Sequence, residues 1–75
     1  MEIEEKEVRI DPDWVRRNVE LVRDMAGDDE AAHCQEDGLH HAVLLAISRG
    51  TATDPAECAR LALTTNEIKF SRWCA

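Results

Sequence analysis

Apolar residues in this chain recur at helical spacing along most of its length, and the breaks in that pattern fall where helix-ending chemistry stands. At about 100° per residue, Trp14, Val15, Val19, Leu21, Val22 and Met25 collect on one side of a first helix, with Arg16, Arg17, Glu20, Arg23 and Asp24 opposite. Asp11-Pro12 is a helix start. A carboxylate can accept from the free N–H groups of the first turn, and a proline at the first helical position lacks a donor that would have no partner there. Gly27 offers the left-handed residue that commonly ends a helix. The pattern predicts a helix over residues 11–26. Asn18 falls inside its apolar arc, as an amide bonded to neighbouring backbone or as part of a partner groove.

Asp28 and Asp29 restart the chain with capping carboxylates, and Arg49-Gly50 supplies a basic last turn and a stop, so a second helix is expected over 29–49. Its face of Ala31, Ala32, Leu39, Ala42, Val43, Leu45 and Ala46 is joined in the second half by Leu44 and Ile47, which extends the apolar surface almost around the helix. That half is expected to be buried on more than one side. A third helix is expected over 54–64. Asp54 stands at its cap, Pro55 follows, an acid lies three residues on at Glu57, and Cys58, Ala59, Leu61, Ala62 and Leu63 form its apolar face. Thr64-Thr65-Asn66 ends it. On either side, Val8 and Ile10, and then Ile68, Phe70 and Trp73, alternate with polar residues. They read as extended segments laid along the core, with pairing of 8–10 against 68–70 as an alternative. The expected fold is therefore all-α, a small three-helix domain with a long central helix and extended terminal segments.

Length and charge narrow the function classes. At 75 residues the chain makes one small domain, 1–75, whose first ten residues form an acidic, partly mobile segment; a large catalytic cleft does not fit. Sixteen acidic against nine basic residues give a formal charge of −7, which disfavours direct nucleic-acid binding and favours a partner with a basic surface. There is no membrane-spanning apolar run and no basic, apolar leader, so the expected location is cytoplasmic. Cys34, Cys58 and Cys74 form no CxxC pair and read as reduced thiols.

One column carries specific chemistry. Asp29, His33, Glu36 and His40 are spaced i, i+4, i+7, i+11 and share one line along the second helix. These are acceptable ligand types for a divalent transition metal, so a metal-binding helical module is the alternative function. The competing reading is a polar face in which His33 and His40 pair with Glu36 or Asp37, or bond a docked tail near Arg72. Cys34 beside His33 does not make a nucleophile and base, because adjacent helical residues point about 100° apart. No cofactor is expected.

The run Asp29-Glu30-Ala31-Ala32-His33-Cys34-Gln35-Glu36-Asp37-Gly38-Leu39-His40, the Val43–Gly50 segment and the ending Ile68-Lys69-Phe70-Ser71-Arg72-Trp73-Cys74-Ala75 together resemble a family of very small phage and prophage proteins. These share an acid-rich DDEAAHxxED helix and an RWCA-like C-terminus. The resemblance covers residues 28–75 and brings no activity, substrate or cofactor with it. It implies a bacterial host cell and an accessory role that works by binding a host or phage protein. The resulting expectation is a non-enzymatic acidic interaction module using Glu30, Asp37, His41 and Trp73, with inhibition of a host defence complex by acidic mimicry as its sharper form. A homodimer sealed by Trp14 or Trp73 is left open.

Overall fold

The computed structural model describes residues 9–72, and Val8, Trp73 and Cys74 lie outside that range. Three helices follow in order: α1 (Pro12–Asp24), α2 (Asp29–Arg49) and α3 (Pro55–Leu63), with a 3₁₀ turn over Thr64–Glu67. There are no strands among the described residues. Each helix packs against the other two, with α2 as the long central member.

The helix starts at Asp11 and Asp28 form as capping chemistry dictates. Asp11 Oδ1 accepts from Trp14 N at 2.8 Å, and Asp28 Oδ1 accepts from Ala31 N at 3.2 Å. Gly50 ends α2 with φ 73°, a left-handed conformation that costs glycine little, and Thr51 N then donates back to Ala46 O at 2.8 Å. Gly27, by contrast, is not left-handed: α1 stops at Asp24 and the chain turns through Met25, whose N–H donates to Leu21 and Val22 carbonyls.

The start of α3 also departs from expectation. Asp54 adopts φ 54° and its side chain makes no capping bond, while Glu57 turns outward to Arg60. The residues before it are held in extended pairing. Ile10 forms a parallel bridge to Ala52, donating to Thr51 O at 3.1 Å and accepting from Thr53 N at 2.8 Å. Asp54 follows directly in a left-handed conformation, whereas Asp11, which also precedes a proline, is extended and caps its helix. The same bridge answers the strand question for Ile10: its partner is the α2–α3 loop and not residues 68–70.

The core is built from small side chains. Val15, Val19 and Val22 of α1 meet Ala32, Leu39, Val43 and Ala46 of α2 and Cys58 and Ala62 of α3, with Ile10 and Ile68 closing it from the two flanks. Trp14 and Phe70 pack half-buried against this cluster. Asn18 inside the α1 arc donates to Trp14 O at 2.8 Å and accepts from Gln35 of α2 at 3.4 Å, a local amide bond and a link between helices.

Five expected core positions face outward. Leu44 is 67% exposed, Leu63 59%, Leu21 43%, Leu45 38% and Ile47 36%. The second half of α2 is therefore buried on one side only. The physical reason is the number of layers: α1 and α3 cover one side of α2, and no fourth element among the described residues covers the other.

Candidate functional site

The column Asp29, His33, Glu36, His40 runs along the side of α2 that receives the C-terminal segment. Glu36 is 4% exposed and takes a two-pronged bond from Arg72, with Nε to Oε1 at 2.8 Å and Nη2 to Oε2 at 3.0 Å. The Arg72 guanidinium lies over the Phe70 ring at 3.8 Å and also donates from Nη2 to the carbonyls of Thr65 at 3.0 Å and Ile68 at 3.3 Å. One side chain thereby closes the loop from the 3₁₀ turn to the tail. Planar geometry and several fixed donors suit arginine to this work. Two turns earlier, Asp29 Oδ1 accepts from Ser71 N at 3.0 Å.

The donor bonds from Arg72 hold the Glu36 carboxyl below the usual glutamate range, against the opposing effect of burial. The Thr65 hydroxyl and the charges of Arg72 and His40 act in the same direction as the bonds. His40 Nε2 sits 3.0 Å from both Ala62 O and Thr65 Oγ1. A carbonyl only accepts, so the bond to Ala62 requires the proton on Nε2. His40 then ties α2 to the end of α3. His33 Nε2 stands 3.4 Å from Asp37 Oδ2 on its own helix.

Same-line spacing aligned these four residues, but their functional atoms turn to four different partners. Among the described residues, no group of three or more His, Cys, Asp or Glu side chains is placed to hold a metal ion. The four-ligand arrangement suggested by the column does not assemble in this structure. Of the competing polar-face reading, His33 does stand beside Asp37, but neither histidine bonds the tail: Asp29 and Glu36 hold it, and His40 meets Ala62 and Thr65 instead.

The opposite face of α2 is a different surface. Measured from the direction of Glu36 at about 100° per residue, Leu44, Asp37, Glu30, Ser48, His41, Cys34 and Leu45 fall in order between roughly 80° and 180°, and every one of them is exposed. Glu30, Asp37 and His41, the sequence candidates for partner contact, share this arc, while Trp73 lies outside the described residues. Leu44 and Leu45 were not candidates, having been assigned to the core. The signal that would have found Leu44 is its polar company: residues seven and three before it and four after it are Asp37, His41 and Ser48.

The thiols separate by environment. Cys58 is buried and donates to Thr53 O at 3.3 Å, and burial pushes its pKa up, so it stays a protonated core residue. Cys34 is exposed on the outer arc. No described helix is long and apolar enough to cross a membrane. No family model, no curated protein and no solved structure matches this chain.

Proposed function

We propose that this chain is a small acidic interaction module of phage or prophage type, which acts without catalysis by binding a host or phage protein that presents a basic surface. The observation that carries this reading is the division of labour on α2. Its inner column turns to the tail and to α3 through Asp29, Glu36 and His40, whereas Glu30, Asp37 and His41 stand exposed together on the outer arc, where Asp37 reaches only to His33 of its own helix. A surplus of seven acidic charges adds long-range attraction for a basic partner and speeds encounter. In a phage setting such a surface would suit occupation of a basic channel in a host defence complex.

The test is capture of a partner from the native cell by the full chain, compared with a Glu30→Lys, Asp37→Lys variant. The expected result is loss of the complex on charge reversal and retention in the presence of a chelator. Retention after charge reversal would overturn the reading. Loss with the chelator, reproduced by His33→Ala with His40→Ala, would instead support the metal-binding alternative.

A further inference from the structure

The outer arc of α2 holds two kinds of side chain in sequence. Glu30 and Asp37 occupy its first half, and Leu44 and Leu45 its second, with His41 between them. Leu44 is the most exposed large apolar residue described, and nothing in the packing of the three helices requires it to be apolar. We infer that this arc is the docking strip for an amphipathic, basic helical segment of the partner, whose apolar stripe seats on Leu44 and Leu45 while its Lys or Arg side chains meet Asp37 and Glu30. The inference rests on the interaction reading above and adds the partner's chemistry to it.

Charge complementarity selects this occupant. A partner helix that brings cations to Glu30 and Asp37 gains opposite-charge contacts alongside apolar burial. A second copy would bring its own surplus of seven negative charges against the same strip. The chain's residues 1–8 are equally ill matched, with Glu2, Glu4, Glu5 and Glu7 against the single Lys6. Pure mimicry of a nucleic-acid backbone would need the acids and leave the leucines without a use.

The test is an NMR titration of the full, amide-labelled chain with a synthetic helical peptide of about 18 residues, leucine on one stripe and lysine elsewhere. A peptide with glutamate replacing lysine, and an apolar-free lysine peptide, serve as controls. The expected outcome is that shifts concentrate on exposed residues between 37 and 48. Leu44→Ser with Leu45→Ser should weaken binding by about tenfold or more, and Leu44→Ser alone by a smaller factor. Leu21→Ser, on the outer side of α1, should leave it unchanged within about twofold. Three results of the titration overturn the inference: equal binding by the leucine double variant, equal binding of the lysine peptide without apolar residues, or shifts spread over acids of all three helices. Concentration-dependent doubling of mass without peptide, lost on Leu44→Ser, would assign the strip to a second copy and also overturn it. If Glu30→Lys with Asp37→Lys abolishes partner capture while the leucine variants do not, the interaction reading stands and the helical partner alone fails.

Discussion

Removing Arg72 would leave the Glu36 carboxylate inside the domain without its counter-charge, and a buried charge stripped of its partner is costly. Because Arg72 itself keeps a third of its side-chain surface in water, the expected cost of Arg72→Ala is below that of a fully buried pair, about 2 kcal/mol. In a domain this small that is roughly 10 °C in Tm. Arg72→Lys should recover less than half, since an ammonium cannot reproduce the fork on Glu36 or the stacking on Phe70. Thermal melts of the three forms check this, and equal melting of Arg72→Ala and the native chain would contradict it. The pair also fixes a pH response. Glu36 has a folded-state pKa below its unfolded one, so its contribution is complete above the ordinary glutamate value of about 4.3 and is lost as pH falls through the depressed folded value. The groups facing it are Arg72 from the tail, Thr65 from the 3₁₀ turn and His40 on its own helix. Glu36→Gln removes this titration, so the Tm gap between native and Glu36→Gln chains should shrink between about pH 6 and about pH 3. A gap that stays constant would show that the pair does not titrate in this way.

At the scale of the elements, the three sequence starts are tested by their caps. Asp11→Ala removes a 2.8 Å bond to Trp14 N and should cost about 1 kcal/mol. Asp54→Gly removes no capping bond and relieves a left-handed aspartate, so its effect should stay within about 0.5 kcal/mol. Chemical denaturation distinguishes these two, and equal losses would restore the cap at Asp54. The two faces of α2 separate in the same way. Leu39→Ala opens the core and should cost about 3 kcal/mol, whereas Leu44→Ala should cost less than about 0.5. Helix positions were legible in the sequence because capping acids, first-turn prolines and Gly50 act locally, within four residues. What was not legible depended on contacts from elsewhere. The bridge of Ile10 to Ala52 joins residues 42 positions apart. The number of helices available to cover α2 decides the fate of Leu44, and periodicity carries no information about that number. The column from Asp29 to His40 was visible as a line of polar residues. The fork of Arg72 on Glu36, which engages that line with the tail, joins residues 36 positions apart.

The whole molecule is a thin core of valines and alanines held on one side of a long helix, with net charge −7 carried largely on its surfaces. So little apolar volume leaves a small stability margin, and the tail bonds at Asp29 and Glu36, with the bond of His40 to the end of α3, make up part of it. With those side chains engaged by protein groups, addition of a chelator should leave Tm unchanged within about 1 °C. A larger drop would return the column to metal binding. The inner column of α2 holds the fold, and its outer arc is proposed to hold a partner. The most direct test is photo-cross-linking in the native cell, with a benzophenone amino acid placed at His41, Leu44 or, on α1, Leu21. The expected result is one discrete adduct, to the same basic protein, from positions 41 and 44 and none from 21. Adducts of equal yield from 21, or capture of a partner with no adduct from either α2 position, would contradict it.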